Sequence, residues 1–406
     1  MKKYKVGIIG TGARSIGYGM HYAEHPEIDV VALCDPIAKH RKMMAEESKL
    51  ENTFAEYGDY REMFAAEKDL DGVIICSPNY LHVEPAVASF ERGIPIILEK
   101  PLATSMMDCE RIVDAEQKYN GRCMLGFVLR SAPGYVKIFD MISNGTIGNL
   151  ISIQADEFPG LIVSSILNRG SWRRHTNTSG GVILEKCCHD MDVFNWMTDS
   201  RPVTLNSFGG RKIFLPNQFL PKTCDECQHE ADCLYYKNPK ASDREDRDEE
   251  LMHAFSSSEK DLCMYNLNSD NVDVQSVNIE YANGVIVNFL LNLNCIGPKT
   301  ARNFHGIGTK GRIWANLDED EIFHYDNLSG KTHTINITGD GSGHGGGNKS
   351  HALQLLRMMK EPDYRPDQNA EAGYLAAAMC FAADLSRIER RRVNFRYGIN
   401  GKISFN

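Results

Sequence analysis

The first third of the chain alternates short apolar runs with longer polar stretches. The apolar runs favour β structure and predict strands at residues 5–9, 30–34, 73–76, 94–98 and 123–127. The polar stretches between them have helix-forming composition and predict helices at residues 37–49, 60–66, 82–91 and 105–119. Apolar strands that alternate with helices are typical of a doubly wound parallel sheet covered on both faces. We therefore expect residues 1–128 to form an α/β domain.

The pattern changes near residue 130. After a predicted helix at 134–144, apolar and polar positions alternate as they do in half-buried antiparallel strands. This alternation predicts strands at residues 150–157, 203–211, 272–281, 285–292, 300–308, 312–316 and 331–337. The pair Asn283-Gly284 between two of these strands is a strong hairpin signal. Two helices are predicted to follow at 349–360 and 370–390, and the second is expected to pack back on the first domain.

Residues 129–390 are accordingly predicted to form an α+β domain with a large, mostly antiparallel, open-faced sheet. A long polar insert at 215–265 interrupts this domain without a strand pattern, and its length suggests a separate excursion. Residues 391–406 are expected to form a C-terminal tail.

Composition excludes several classes of protein. The chain has 406 residues, 42% of them hydrophobic and 24% charged, which is ordinary for a globular protein. Its longest apolar runs are far shorter than a membrane span of ~18 residues, and its N-terminus lacks the pattern of a secretory signal. A net charge of −9 argues against nucleic-acid binding. The 12 cysteines then fit reduced thiols, and we expect a cytoplasmic protein.

The first predicted strand runs into Gly10-Thr11-Gly12-Ala13-Arg14-Ser15. This turn resembles the glycine fingerprint of a Rossmann unit, with Ser15 in place of the third glycine. Asp35 ends the next strand, near the spacing of ~20 residues expected for an acid that binds a ribose 2′-hydroxyl. A carboxylate there would repel a 2′-phosphate and favours NAD over NADP, although Arg41 or Lys42 could weaken the preference. The alternative is a plain glycine turn, with Asp35 capping a helix.

Glu99-Lys100-Pro101 follows the fourth predicted strand, at the sheet edge where open α/β folds bind ligands. A lysine before proline is held extended, and the peptide bond between them can be cis. Its ammonium group could hydrogen-bond a substrate hydroxyl and stabilise negative charge that develops on the oxygen. The alternative is a surface lysine at the exit of a strand.

Two glycines, Gly180 and Gly181, precede a predicted helix that carries Glu185, His189 and Asp192. The spacings of four and three residues place these three side chains on one helix face. A histidine with a carboxylate one turn away is suited to act as a general base near neutral pH. The alternative is a buried histidine that serves packing alone.

Together these motifs resemble the Gfo/Idh/MocA family (glucose–fructose oxidoreductase, inositol dehydrogenase and rhizopine catabolism proteins). The resemblance implies a homodimeric or homotetrameric, NAD(P)-dependent sugar or polyol dehydrogenase that assembles through its open sheet face. One departure is Glu185, where many members carry aspartate. The cofactor contacts implied are Gly10, Gly12, Ala13, Arg14, Ser15, Asp35, Ser77, Pro78, Asn79, His82, Glu99, Lys100, Trp172 and Arg173. The substrate contacts implied are Lys100, Arg130, Arg173, Glu185, His189, Asp192 and His344.

The leading functional hypothesis is hydride transfer between a nicotinamide and a ring hydroxyl or ketone of a sugar, glycoside or polyol. His189 would remove the hydroxyl proton while Lys100 orients the oxygen, and Asp192 and Arg173 would hold neighbouring hydroxyls. One alternative is a glycosidase that uses tightly bound NAD to oxidise the sugar transiently and eliminate the aglycone. Another alternative is a non-catalytic protein that senses or binds NAD.

The polar insert contains Cys224, Cys227 and Cys233, and Cys263 follows it. Four thiolates with one C-x₂-C pair could form a tetrahedral zinc site that orders the insert. His229 or His253 could replace one ligand. An iron–sulfur cluster is less favoured, because hydride transfer needs no one-electron carrier. The alternative is a set of free thiols.

A final candidate is His344-Gly345-Gly346-Gly347-Asn348, which precedes the helix predicted at 349–360. Three glycines beside a histidine suggest a loop that closes over the substrate, with His344 lining a sugar pocket. The alternative is a linker in which Asn348 caps the helix.

Overall fold

The computed structural model describes residues 2–51, 53–236, 261–294, 301–317, 319–339 and 343–406. The strands in these parts are β1 (Tyr4–Ile9), β2 (Ile28–Cys34), β3 (Ala55–Tyr57), β4 (Gly72–Ile75), β5 (Ile96–Leu98), β6 (Cys123–Leu125), β7 (Leu150–Glu157), β8 (Pro202–Gly210), β9 (Val274–Tyr281), β10 (Ile286–Asn292), β11 (Asn303–Gly308), β12 (Gly311–Asn316), β13 (Glu321–Asp326), β14 (Lys331–Asn336), β15 (Val393–Tyr397) and β16 (Ile403–Phe405). The helices are α1 (Ala13–Ala23), α2 (Ala38–Glu47), α3 (Tyr60–Ala66), α4 (Val83–Phe90), α5 (Met106–Lys118), α6 (Pro133–Ser143), α7 (Leu161–Arg169), α8 (Thr176–Ser179), α9 (Val182–Thr198), α10 (Asn348–Lys360) and α11 (Ala370–Glu389). Short 3₁₀ helices lie at Asn79–Leu81, Val128–Ser131 and Cys224–Glu226, and a helical turn at Gly343–Gly346 precedes α10.

The chain divides into two compact units. The first consists of Met1–Ser131 and Gly346–Ala377, and the second of Ala132–Gly345 and Ala378–Asn406. The division expected from the sequence kept α10 with the C-terminal domain, whereas the structure includes it in the first unit. The boundary also falls within α11, so that its N-terminal part belongs to the first unit.

Apolar contacts explain why α10 joins the first unit. A Cβ added to Gly72 of β4 would lie 2.9 Å from the sulfur of Met359 and 3.2 Å from Leu355, so the helix packs directly on the strand. On the other side, the hydroxyl of Tyr22 in α1 donates a hydrogen bond to the carbonyl of Ala352 at 2.7 Å. Sequence periodicity predicted this helix but carried no information about which sheet it covers.

The first unit is built on a six-stranded sheet in the order β3-β2-β1-β4-β5-β6. All of its strand pairs are parallel, which confirms the predicted doubly wound fold. Val6, Ile8, Ile74 and Ile97 are completely buried, as expected for strands covered on both faces. The edge strand β3 was not predicted, because three residues that include Glu56 show no apolar run.

The second unit contains a ten-stranded sheet in the order β14-β13-β12-β11-β7-β10-β9-β8-β15-β16. Its pairs are antiparallel except that of β7 with β10, which confirms the mostly antiparallel sheet. The predicted hairpin at Asn283-Gly284 joins β9 to β10. Burial alternates along these strands, since one face packs against α9 while the other remains open.

Three strands of this sheet were not predicted. β13 carries only a short alternation broken by His324, and β15 and β16 lie in the segment expected to be a tail. Val393 of β15 pairs with Leu205 of β8, so the C-terminus extends the sheet. Among the helices in the described parts of the chain, none combines the length and apolarity needed to cross a bilayer.

A carboxyl group in the first unit makes its stability depend on pH. Oε1 of Glu116 in α5 accepts a hydrogen bond from the backbone nitrogen of Cys123 at 3.0 Å, and burial raises its pKa from 4.5 to about 7. Because the folded state binds this proton more tightly than the unfolded state, the unfolding free energy falls as pH rises from 4.5 towards 7. We expect Glu116→Gln to raise the unfolding free energy at alkaline pH by on the order of 1–3 kcal/mol, and to have little effect in acid.

Urea unfolding followed by circular dichroism at the two pH extremes measures this difference. Glu62→Gln, on the exposed side of α3, is the matched control and should behave like the parent protein. An equal gain from Glu116→Gln at both extremes would show that the carboxyl group carries no such penalty.

Candidate active site

The glycine-rich loop between β1 and α1 is pressed against the end of β4. Gly10 has a φ of +82°, and a Cβ added there would lie 2.4 Å from the backbone nitrogen of Ser77. Glycine is required for both the conformation and the approach. Gly12 is the N-cap of α1 and has open space where a Cβ would stand. No side chain caps the helix, which starts at Ala13 without an acid in its first turn, so its N-terminus suits an anion.

Two buried hydroxyl groups beside this loop, Thr11 Oγ1 and Ser77 Oγ, have no hydrogen-bond partner among the described residues. Buried hydroxyls are normally satisfied, so these two point to a ligand. Ser15, at the position of the third fingerprint glycine, donates from its Oγ to the carbonyl of Gly12 at 2.7 Å and stabilises the turn. The bare loop, the uncapped helix and the two hydroxyls together fit a dinucleotide.

Asp35 at the end of β2 connects this loop to the next one. Its Oδ2 accepts a hydrogen bond from the Thr11 nitrogen at 3.0 Å, and its Oδ1 accepts one from the Ile37 nitrogen at 2.9 Å. Each carboxylate oxygen can accept a further bond, so Asp35 can both order the loops and bind a ribose hydroxyl. Arg41 pairs with Glu56 at 2.7 Å, which offsets the positive charge that would attract a 2′-phosphate.

Lys100 lies two residues after the end of β5. Its backbone nitrogen donates to Oε2 of Glu99 at 3.2 Å, and the Lys100–Pro101 peptide bond is cis. Glu99 is buried, and its Oε1 accepts hydrogen bonds from Arg14 Nε and the Tyr18 hydroxyl, both at 2.7 Å. Burial alone would raise the pKa of Glu99. The charge of Arg14 and these hydrogen bonds outweigh burial and hold the pKa below its usual value. Glu99 is therefore a fixed anion that anchors the backbone of Lys100.

Other residues of the first unit complete the surroundings of this anion. A Cβ on Gly126 would lie 2.7 Å from Oε2 of Glu99, so only glycine leaves room for the carboxylate. Asn348 is the first residue of α10, with Gly347 as its N-cap, and its Oδ1 accepts a hydrogen bond from Arg14 Nη1 at 3.3 Å. Asn348 is thus not the helix cap considered in the sequence analysis, because its side chain points at Arg14.

His351 in α10 was missed by the sequence analysis. It is completely buried, and burial lowers its pKa to about 4 although the charge of Glu99 acts in the opposite direction. The ring is therefore neutral near pH 7. Tyr18 was missed as well. Its position one helical turn after Arg14 on α1 indicates that the two side chains lie on the same face of the helix, and both contact Glu99. His351 and Asn348 lie too far along the chain for spacing to associate them with the loop.

The predicted cofactor loop after β4 is held by His82. One ring nitrogen of His82 lies 2.9 Å from the carbonyl of Pro101 and the other lies 3.0 Å from the carbonyl of Ser77. Burial lowers the pKa of His82, which keeps the ring neutral. A neutral ring has one N–H and donates to one of these two carbonyls at a time, so His82 ties this loop to the lysine motif. Pro78 and Asn79 form the part of the loop that begins the 3₁₀ helix.

In the second unit, α9 carries Glu185, His189 and Asp192 on one face, in agreement with their spacing. All three are buried, with exposed fractions of 6%, 4% and 1%. Glu185 pairs with Arg173, whose Nε lies 3.2 Å from its Oε1. The Arg173 guanidinium also stacks 4.2 Å above the ring of Trp172. Two predicted site residues, Arg173 and Glu185, are thus brought into direct contact.

His344 lies close to His189 in the same unit. Their ring centroids are 6.1 Å apart, and the His344 side chain is exposed. His344 has a φ of +57°, an unusual conformation for a side-chain-bearing residue, followed by glycines that continue the turn. Arg130, the remaining predicted substrate contact, is half-buried in the 3₁₀ helix Val128–Ser131 of the first unit.

A buried charge cluster beside His189 escaped sequence analysis. Glu157 of β7 pairs with Lys186 at 3.1 Å and with Arg302, which lies 3.7 Å from Asp190. Burial and the charge of Glu157 raise the pKa of Asp190 to about 7, against the opposing effect of Arg302 and Lys186. These residues come from β7, from the position just before β11 and from α9, so no local spacing could reveal them. They hold α9 on the sheet.

An open cavity of about 710 Å³ lies beside Trp172, within the size range of small-molecule sites. The sequence analysis singled out Trp172 alone among its lining residues, which are Ser171, Trp172, His175, Asn177, Thr178 and Asp270. Asp270 is anchored there, because it accepts hydrogen bonds from the backbone nitrogen and hydroxyl of Thr176, both at 2.8 Å.

The predicted metal ligands lie in the described parts of the insert, whereas the alternative ligand His253 lies outside the described residues. Within the parts of the chain that the structure describes, no three His, Cys, Asp or Glu side chains are placed as a metal would require. No disulfide joins the described cysteines. Zinc binding by these cysteines stays a prediction.

Two family profiles match most of the chain. Residues 4–127 match the Gfo/Idh/MocA profile described as "Oxidoreductase family, NAD-binding Rossmann fold", and residues 135–314 match the family's C-terminal domain. The chain belongs to the Gfo/Idh/MocA oxidoreductase family. The resemblance inferred from the lysine motif and the α9 motif is thereby confirmed.

Individual relatives of this family member are 19% to 29% identical to it over the aligned residues. The YteT protein of Bacillus subtilis is 28% identical over 79% of this chain and 80% of its own length. An inositol 2-dehydrogenase of Salmonella typhimurium is 29% identical over 53% of this chain and 58% of its own length. A levoglucosan dehydrogenase solved with NADH and levoglucosan has a TM-score of 0.75 at 19% identity, over 97% of this chain and 99% of that one. This last likeness shows a shared fold.

Proposed function

We propose that this oxidoreductase transfers a hydride between NAD and a ring hydroxyl or ketone of a sugar, glycoside or polyol. The observation that carries the proposal is the fixed anion Glu99, which anchors Lys100 at the carboxyl end of the sheet beside a loop that fits a dinucleotide. An ammonium group at this edge of the sheet is a charged donor suited to a substrate oxygen. The family membership supports the same conclusion.

NAD, when bound, supplies the hydride acceptor through its nicotinamide ring. In the proposed reaction Lys100 donates a hydrogen bond to the substrate oxygen and stabilises the negative charge that develops on it. His189 accepts the proton of the reacting hydroxyl. Ser77, Pro78, Asn79 and Trp172 are proposed to lie near the cofactor.

Further residues are proposed to orient the substrate. Arg173, held by Glu185, presents a preorganised guanidinium for a neighbouring hydroxyl, and Asp192 offers a carboxylate on the His189 face of α9. Arg130 and His344 are proposed to contact outer parts of the same molecule. The cavity beside Trp172 supports a carbohydrate, because it combines an indole ring with hydroxyl, amide and carboxylate groups.

Incubation with NAD and a panel of monosaccharides, aryl glycosides and inositols tests this function. A dehydrogenase accumulates NADH in proportion to a keto product. A glycosidase that returns the hydride to the sugar releases the aglycone without net NADH, and this outcome would replace the proposal. NAD binding without turnover of any member of the panel would favour a non-catalytic NAD-binding protein.

The preference for NAD over NADP gives a further prediction. We expect Asp35→Asn to raise the ratio of kcat/KM with NADP to that with NAD by about tenfold or more, because it removes the charge that repels a 2′-phosphate, while the amide oxygen still accepts a hydrogen bond from one of the two loop nitrogens. Steady-state kinetics with both cofactors measures this ratio. Asp29→Asn, on the same strand β2, is the control, and an unchanged ratio in Asp35→Asn would show that Asp35 serves only the loops.

We also propose that the protein assembles into a homodimer or homotetramer through the open face of the ten-stranded sheet. Apolar side chains on this open face are exposed, with fractions of 67% for Phe208, 51% for Ile286 and 40% for Ile307. We expect Phe208→Asp with Ile286→Asp to give monomers in light scattering. Leu328→Asp, in the exposed turn between β13 and β14, should leave the assembly intact, and an assembly that survives the double substitution would place the interface elsewhere.

The proposed location is the cytoplasm, where NAD is available and thiols stay reduced. The absence of a disulfide among the described cysteines supports this proposal.

A further inference from the structure

We propose that Cys224, Cys227, Cys233 and Cys263 bind one structural Zn²⁺ ion that fastens the insert to the second unit. The dehydrogenase function does not use these residues, and the two proposals stand independently. The backbone of the insert, the charge around its thiols and its packing each support the site.

A short antiparallel ribbon brings Cys224 and Cys263 together. Thr223 and Leu262 form an antiparallel bridge. On either side of it, the Cys224 nitrogen donates to the Asp261 carbonyl at 2.6 Å, and the Cys263 nitrogen donates to the Lys222 carbonyl at 2.8 Å. Side chains alternate along such a ribbon, so Cys224 and Cys263 point to the same face as diagonal neighbours. Two cysteines from distant parts of the chain thereby share one face.

Tight turns fold the backbone that carries the remaining cysteines. The Cys227 nitrogen donates to the Cys224 carbonyl at 3.0 Å, which curls the C-x₂-C pair into the 3₁₀ helix Cys224–Glu226. The Cys233 nitrogen donates to the His229 carbonyl at 3.0 Å, in a second turn that returns the chain. Two successive turns thus fold residues 224–233, which carry three of the four thiols, into a compact segment next to the ribbon.

A buried cation lies against this cluster. Arg169, at the end of α7, is completely buried, and its Nη2 lies 3.8 Å from the sulfur of Cys224. The same guanidinium donates from Nε to the carbonyl of Leu262 at 2.7 Å. A zinc ion with four thiolates carries a net negative charge, and N–H donors to sulfur are the outer contacts that stabilise such sites. Arg169 is placed to provide one of them.

The described parts of the insert have little core of their own to hold this arrangement. Its packing centres on Phe214, Tyr235 and Tyr265, whose ring centroids lie 5.2 to 6.3 Å apart. A polar segment with so small an apolar cluster is the setting in which a structural metal contributes to folding. The four sulfurs are not at the distances that zinc ligands adopt. Zinc binding therefore requires rotation of the cysteine side chains about χ1, for which staggered alternatives exist.

Metal analysis of the full-length protein, purified without chelators, tests the proposal. We expect about one zinc per chain by inductively coupled plasma mass spectrometry. Cys227→Ser and Cys233→Ser, at half-exposed positions that should tolerate the change, are expected to lose zinc by about tenfold or more. Cys109→Ala, a thiol in α5 of the first unit, is the matched control and should retain the metal. Replacement of zinc by Co²⁺ should give the visible absorption of a tetrahedral thiolate site.

A second measurement distinguishes a structural ion from a surface contaminant. Removal of zinc by a chelator should lower the thermal midpoint of unfolding, while NADH binding stays unchanged. Purified protein that holds no zinc and takes up none on titration would overturn the proposal. So would stoichiometric iron with acid-labile sulfide, or zinc content that survives both serine substitutions.

Discussion

Lys100→Met is expected to lower kcat by about 10³-fold or more, because it removes the charged donor that stabilises the developing negative charge on the substrate oxygen. The methionine side chain fills similar space, and the backbone nitrogen that bonds to Glu99 is unchanged. The loop and the cofactor site should therefore remain intact. Stopped-flow and steady-state rates of NADH formation, with NADH affinity from fluorescence titration, separate the two effects.

A matched control for this prediction is Lys118→Met, which removes an exposed lysine at the end of α5 in the same unit. It should leave both the rate and NADH affinity near those of the parent protein. If Lys100→Met turned over substrate at the parental rate, the proposed role would be wrong. Lys100 would then be a surface lysine at the exit of a strand, the alternative given by the sequence.

His189→Gln is expected to lower kcat by about 10²- to 10⁴-fold, the usual range for loss of a general base. Glutamine keeps the size and polarity of the side chain but cannot accept the proton of the reacting hydroxyl. Because α9 is buried along this face, we expect the fold of the second unit to survive a change of similar volume. Circular dichroism and NADH affinity should match those of the parent protein.

The control for His189 is His333→Gln, an exposed histidine on β14 of the same unit. Imidazole added to His189→Ala should restore part of the activity, since it replaces the missing base. Parental turnover by His189→Gln would assign the histidine to packing and would leave the second unit without a base in the proposed reaction.

The fold was predictable wherever burial imposed a simple pattern. β1, β4 and β5 are covered on both faces, so selection for apolar residues at each position leaves a continuous run. The hairpin of β9 and β10 was equally clear, since an Asn-Gly pair joins two alternating runs. β13 and β15 were not predictable, because their stability comes from pairing with neighbouring strands rather than from their own composition.

The same reasoning explains which site residues sequence analysis could find. Lys100 and His189 lie in motifs whose chemistry is local, with glycine, proline or a paired carboxylate a few residues away. His82 was assigned to the cofactor because its position in the loop was visible, whereas its two carbonyl partners depend on the folded chain.

The partners of Glu99 show a different limit. Arg14 comes from α1, and the neutral ring of His351 comes from a helix near the end of the chain. Long-range contacts of this kind depend on how α10 packs on the first sheet, which no spacing of residues in one sequence records. The charge cluster of Glu157, Arg302 and Asp190 escaped for the same reason.

Direct transfer of a labelled hydride is the measurement that tests the proposed chemistry most closely. The protein is incubated with NAD and carbohydrates or inositols that carry deuterium at every ring carbon, and the recovered NADH is examined by mass spectrometry. Hydride transfer from a ring carbon requires NADH that carries one deuterium, and Lys100→Met should form the same labelled NADH about 10³-fold more slowly. Unlabelled NADH, or no reduction of NAD by any of these compounds, would contradict the assignment.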